Sequence, residues 1–374
     1  MGVKKPFESS KRVVIKIGSS LLVDPEQGSV HRKWLEALAD DIAQCRANGQ
    51  QVVIVSSGAI AVGRRHLGLR DGKLKLEESQ AAAATGMIRL AHAYQDVLAH
   101  HNLTVAQVLV TLDDSESRRR YLNARNTLET LLRLGAVPLI NENDTVATDE
   151  IRFGDNDRLA ARVSAMISAD TLVLLSNIDG LYDRDPRYET DAKLVPEVRG
   201  AISQYVQDMA GSSISCDGSG GMVTKFEAAR IAMGAGARMV ITNGLHSHPL
   251  RRLTKGSACT WFLPDANPRT ARKRWIAGVL KPAGEIIVDE GAVNALKSGK
   301  SILPAGVLDI IGQFDRGDAV IVRARDGLEV GRGIIAYSSD DAQRIKGNKT
   351  SEIEALLGYR GRDEIVHRDD FALE

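Results

Sequence analysis

Cysteine is scarce in this chain. Cys45, Cys216 and Cys259 make an odd number with no CxxC pair among 374 residues, which removes the ligands for a structural zinc site and the pairs for a secreted disulfide framework. Reduced thiols in a cytoplasmic protein are the expectation. Apolar runs are short as well: none approaches the roughly eighteen residues of a membrane span, and the N-terminal MGVKKPFESSKR lacks the apolar core of a signal peptide. No membrane partner is expected, and residues 1–10 read as a polar lead-in. An excess of one charge is missing too. The formal net charge is only +1, which excludes a globally basic nucleic-acid binder but not a local basic patch. GxGxxG and HExxH do not occur, and GAIAVGRR (58–65) misses the Walker loop, with Arg64 in place of lysine and no Ser or Thr behind it. Phosphate, if bound, is held another way.

What is present supports a large core. Hydrophobic residues make up 43% of a chain long enough for two domains. From Val13 to about Phe262, short β-branched runs alternate with segments of helical period, the pattern of α/β layering around a mostly parallel sheet. VVIKI (13–17), QVVIV (51–55), TVAQVLV (104–110), VPLI (137–140), TLVLL (171–175) and RMVIT (238–242) read as buried strands. His31–Asn48, Glu77–Ala99, Ser117–Leu134 and Arg158–Ser168 read as helices. Trp34, Leu38, Ile42 and Cys45 fall at helical spacing, which places Cys45 in the core, while Arg118, Arg119 and Arg120 read as a solvated face. PDANPRTARKRW (264–275) interrupts the alternation and marks a linker. Beyond it, EIIVD, GVLDII, DAVIVRA and EVGRGIIAY are short, glycine-punctuated strands of a small β-rich domain. The expected division is 1–10 lead-in, 11–263 large domain, 264–282 linker, 283–361 small domain and 362–374 tail.

Several small-residue turns follow the strands. In KIGSS (16–20), Lys16 enters a turn whose backbone N–H groups would face an anion; alone, it reads first as an edge lysine before an ordinary glycine turn. SSGAIAVG (56–63) and GSGGMVTK (218–225) add small residues where backbone can approach a ligand. In the second, Thr224 and Lys225 at a helix start suit a phosphate with an ammonium beside it, against the alternative of a flexible surface loop. SNIDGLYDRDP (176–186) stands at the end of the TLVLL strand, where open sheets bind ligands. A tight Asp-Gly turn and a proline stop explain Asp179, Gly180 and Pro186 equally well. NENDTVATDEIRFGDNDRL (141–159) crowds carboxylates and amides about Gly154.

Taken in order, KIGSS, SSGAIAVG, NENDTVAT, FGDND, SNIDGLYDRDP and GSGGMVTK resemble the amino acid kinase family. RKRWIAG (272–278), PAGEIIVDEGA (282–292), SEIEALLGY (351–359) and VHRDD (366–370) extend the resemblance over nearly the whole chain. It points to members that phosphorylate the γ-carboxylate of L-glutamate with ATP and magnesium, the first committed step of proline synthesis. The resemblance implies a three-layer α/β sandwich with a mostly parallel central sheet, and a PUA domain for residues 283–361. It assigns Lys16, Gly18, Ser19 and Ser20 to the ATP phosphates, and Ser57, Gly58, Asn141, Asp144 and Asn156 to glutamate. Ser176, Asn177, Ser219, Gly220, Gly221, Met222, Val223, Thr224 and Lys225 match its nucleotide contacts. Where the family commonly has Thr-Asp this chain has Ser176-Asn177, and Ser19 and Ser219 stand in place of Thr. The hydroxyls survive; Asn177 lacks a charge-assisted acceptor near the nucleotide. Feedback inhibition by L-proline and homo-oligomers are further implications of the family.

A carboxylate acceptor with a pKa of about 4.3 is already ionised at neutral pH, so the transfer needs no general base. It needs cations that offset repulsion from the γ-phosphate, and Lys16 and Lys225 are the expected catalytic pair. Asn141, Asp144 and Asn156 offer the mixed donors and acceptors that a zwitterion requires. Asp155 and Asp157 read either as direct or water-mediated magnesium contacts or as caps of the helix beginning near Arg158. Asp149 and Glu150 read as solvated loop charges. Two rival functions stay open. One is a kinase for another small carboxylate, such as acetylglutamate or aspartate; the other is RNA binding through the PUA-like domain. Against RNA stand Asp289, Glu290, Asp309 and Asp318 and the scarcity of aromatics for base stacking.

Overall fold

The computed structural model describes residues 6–24, 27–69, 72–147, 156–200, 202, 221–278 and 282–373. Contacts divide the chain into two compact units, Met1–Pro268 and Arg269–Glu374.

The first unit contains β1 (Arg12–Ile17), β2 (Gln51–Ser56), β3 (Val105–Val110), β4 (Val137–Glu142), β5 (Thr171–Ser176), β6 (Leu181–Tyr182), β7 (Leu194–Val195), β8 (Glu197–Arg199), β9 (Arg238–Asn243) and β10 (Cys259–Leu263). Eight of these form one sheet in the order β3-β4-β2-β1-β5-β9-β10-β8, and β6 pairs with β7. Within the large sheet only the β9–β10 pairing is antiparallel.

Side chains alternate across a strand, and here both faces are covered. Val13, Ile15 and Ile17 join Val52, Ile54, Val173 and Val240 in one core beneath helices Arg32–Ala47 and Leu76–Ala99. Val14 joins Val53, Val55, Leu172, Leu174 and Ile241 in a second core, covered by helices Arg118–Arg133, Asn156–Met166 and Met222–Gly234. Lys16 has the parity of Val14. It therefore leaves the sheet on the second face, a charge on an otherwise apolar surface.

Cys45 sits in the first core, as its spacing predicts. Burial, and then the nearby Asp41 carboxylate, push its thiol up to about 12, so it is chemically quiet.

The near-Walker stretch has a packing explanation. Gly58 precedes helix Ala59–His66, and Gly63 lies inside it where that helix crosses Leu76–Ala99. A Cβ on Gly63 would overlap the Ala82 carbonyl, and one on Gly86 would overlap the Ala59 carbonyl. The two backbones touch through reciprocal glycines, so Gly63 serves the helix crossing.

Residues 264–282, read as a linker, include the helix Pro268–Gly278. Its first residue is a proline, which a first helical turn tolerates because that N–H has no intrahelical partner. In the second unit, β11 (Gly284–Val288), β12 (Val307–Gly312), β13 (Ala319–Ala324), β14 (Glu329–Ile335) and β15 (Val366–Leu373) make a sheet in the order β12-β11-β13-β14-β15. Its core includes Ile286, Val288, Val320, Val322, Tyr337 and Ile345. The stretch expected to be a tail supplies β15, paired with β14 through Gly331↔Leu373 and Gly333↔Phe371. An irregular register between Gly333 and Ile335 breaks the alternation, so buried Val366 and Phe371 were hidden behind the charges of His367–Asp370.

Gly86→Ala forces a side-chain atom against a backbone carbonyl and is expected to cost about 3 kcal/mol, read as a fall in Tm. Gly234→Ala, where a Cβ meets nothing within 4 Å, should leave Tm unchanged or slightly raised.

Candidate active site

The carboxyl ends of β4, β2, β1 and β5 are neighbours, so the residues leaving them share one rim. β1 runs into Gly18 and the short helix Ser19–Leu22, β2 into Ser57 and Gly58, β4 into a turn over 143–147, and β5 into Asn177. Gly58 has φ +100°, and a Cβ there would lie 2.8 Å from Val23 Cγ2, so this corner requires glycine. Gly18 is under no such demand. A Cβ there would meet only the Leu175 carbonyl oxygen, at an ordinary 3.6 Å.

Two lysines from distant parts of the chain converge on one carboxylate. Lys16 Nζ lies 2.6 Å from Asp157 Oδ1, and Lys225 Nζ lies 3.2 Å from Asp157 Oδ2. Thr224 Oγ1 donates to the Gly221 carbonyl at 2.8 Å and stands 3.4 Å from the same Oδ2. Asp157 is fully buried. Burial opposes its charge, yet the ammonium groups of Lys16 and Lys225 outweigh that cost and hold the carboxyl down at about 2. Asp157 lies within its helix rather than capping it. Because an ammonium stands against each of its oxygens, it does not fit as a direct magnesium ligand. Among the described residues no group of three or more His, Cys, Asp or Glu side chains could hold a metal ion.

The residue before Asp157 faces other partners. Asn156 Nδ2 donates to the Ser56 carbonyl at 2.6 Å and reaches Asn141 Oδ1 at 3.0 Å and Ser57 Oγ at 3.2 Å. Asn141 Oδ1 also accepts from the Glu142 N–H at 2.9 Å. One amide thus ties the ends of β2 and β4 together. Asp144 follows on the β4 turn, 8% exposed, and burial pushes its carboxyl up to about 6, with no cation among the described residues set against it.

The amino acid kinase family model matches residues 11–243. The chain belongs to the amino acid kinase family. A PUA domain model matches residues 284–357. Among curated relatives, the glutamate 5-kinase of Paramagnetospirillum magneticum is 62% identical over 369 residues, covering 99% of each chain. Glutamate 5-kinases of Rhodospirillum rubrum and Rhodopseudomonas palustris are 58% and 57% identical, with at least 96% of each chain covered.

For this amino acid kinase the structure brings Lys16, Lys225 and Asp157 together, and Ser57, Asn141 and Asn156 together. Asp155, Ser219 and Gly220 lie outside the described residues. Gly221 precedes helix Met222–Gly234 in extended conformation; Met222 is buried and Val223 exposed. Ser176 and Asn177 leave β5 side by side, Ser176 Oγ 3.4 Å from Asn177 Oδ1. The neighbouring Asp179 is held by Asn243 Nδ2 at 3.0 Å and by the Tyr182 hydroxyl at 3.2 Å, and a Cβ on Gly180 would overlap Thr260 Oγ1. The turn explanation therefore accounts for Asp179 and Gly180.

Sequence reasoning missed Asp157 as the partner of both lysines. The missing signal was strand parity: Lys16 on the face of Val14 needs a buried counter-charge from the helices covering that face.

A raised carboxyl pKa means the native state holds that proton more tightly than the unfolded chain. The penalty for charging Asp144 is absent below about pH 4, grows up to pH 6 and is complete above it. Acidification from pH 7 to 4 should stabilise the wild type relative to Asp144→Asn by about 2–3 kcal/mol in urea melts.

Proposed function

We propose that the chain transfers the γ-phosphoryl group of ATP to the γ-carboxylate of L-glutamate, giving γ-glutamyl 5-phosphate. The observation that carries this reading is the adjacency of Asn156 and Asp157. One reaches the Ser57–Asn141 cluster and the other the two lysines, so acceptor and phosphate half-sites meet at successive residues of one helix. The names of the relatives, at 57–62% identity over nearly the full chain, support it.

In this reading Asp144, buried and pushed up to about 6, receives the acceptor's α-ammonium, which supplies a counter-charge. Ser57 and the Asn141–Asn156 amides orient the rest of the amino acid. The γ-carboxylate arrives ionised and attacks without a base. Lys16 and Lys225 stand on the phosphate side, their ammonium groups fixed by Asp157 before substrate arrives. The N-terminus of helix Met222–Gly234, where Gly221 provides no side-chain cap, offers backbone N–H groups for phosphate oxygens. Gly18 leaves the end of β1 open to the nucleotide, and Ser176 and Asn177 offer it polar groups at the end of β5. Magnesium, which the family resemblance implies, would be carried on the nucleotide's phosphates rather than on Asp157.

Lys16→Ala and Lys225→Ala are each expected to lower kcat by about 100- to 1,000-fold with circular dichroism unchanged. A near-wild-type kcat in either purified variant would remove the phosphate-side assignment. Assaying ATP consumption with L-glutamate, acetylglutamate, aspartate and carbamate side by side tests the acceptor. L-Glutamate should give the highest kcat/KM, and preference for any of the others overturns the reading.

A further inference from the structure

Gln80 lies half-buried near the start of the long helix Leu76–Ala99, outside every motif that bears the chemistry. Its Nε2 donates to the Ala147 carbonyl at 3.2 Å. Ala147 closes the turn that carries Asp144, and its N–H donates to the Asn143 carbonyl at 3.1 Å. At the entrance, the Asn143 N–H donates to the Val110 carbonyl at 2.9 Å. The turn is thus pinned to the end of β3 on one side and to a helix on the other.

That helix is a firm anchor. Its Gly86 crosses helix Ala59–His66 at backbone contact, and the crossed helix begins directly after Ser57 and Gly58. Farther along, the fully buried Tyr94 sets its hydroxyl 3.2 Å from Ser56 Oγ. One helix therefore touches both the corner that presents Ser57 and the turn that presents Asp144. Ala147 is itself buried, so its carbonyl has little access to water as an alternative partner.

We infer that Gln80 is a positioning residue for the amino-acid acceptor: through the Ala147 carbonyl it sets the place of the Asp144 carboxylate relative to Ser57 and Asn156. This rests on the function proposed above. Gln80 touches no substrate. Its influence falls on acceptor binding, while the lysine pair, held by Asp157 on the other face of the sheet, is unaffected.

Gln80→Met keeps the side-chain length and removes the donor, and Gln80→Lys restores one. Gln80→Met should raise the glutamate KM about five- to tenfold, the equivalent of one lost hydrogen bond, with kcat and the ATP KM within about twofold. Gln80→Lys should recover a large part of that loss. In hydrogen exchange, the Ala147 amide should exchange faster in Gln80→Met, while the β1 and β5 amides keep their protection. An unchanged glutamate KM in Gln80→Met, or a loss shared equally by kcat and both KM values, overturns the inference. A wild-type chain that ignores glutamate would sink the function proposed above, and the Ala147 exchange rate would then decide the role of Gln80 by itself.

Discussion

Two ammonium groups can stay close together in a fold only if something holds them against their own repulsion, which at 4 Å is about 4 kcal/mol near a protein surface. Asp157 does this, fully buried, with one lysine on each oxygen. The arrangement constrains much else. It requires Lys16 to leave β1 on the second face, helix Asn156–Met166 to start at that strand's carboxyl end, and helix Met222–Gly234 to present its first turn to the same point. The eight-stranded order, with β1 central and flanked by β2 and β5, satisfies all three at once.

The two buried aspartates of the site show how environment divides one chemistry into two tasks. Asp157 is held down at about 2 by its lysines, whereas Asp144, with no such partner among the described residues, is pushed up by burial to about 6. The first is satisfied when the chain folds and holds two cations side by side. The second is left costly, a cost that in the proposed reading the acceptor's α-ammonium relieves. In that reading stability and function are set against each other at Asp144 and aligned at Asp157.

Most of the large unit was legible because buried parallel strands are written as β-branched runs, and helix Arg32–Ala47 as a periodic row from Trp34 to Cys45. Turn residues marked the rim, since Gly58 adopts a conformation that other residues resist. What stayed hidden depends on long-range pairing. β15 reads as a charged tail until β14, with Gly331 and Gly333, gives it somewhere to lie. The lysine–aspartate triad joins residues far apart in sequence, and only sheet parity links them. Gln80 acts through a backbone carbonyl, whose identity no side-chain pattern records. GAIAVGRR shows the opposite hazard, where a phosphate-like glycine spacing belongs to a helix crossing.

That crossing has a consequence for selectivity. Because Gly63 and Gly86 bring two backbones into contact with no side chain between them, the helix that begins after Ser57 and the helix that bears Gln80 pack as one layer. In the proposed reading, the two ends of the amino-acid pocket, at Ser57 and at Asp144, are both referred to that layer. A pocket of fixed span works as a length gauge. On that reading, an acceptor one methylene shorter than the pocket's span is disfavoured by about 1–3 kcal/mol.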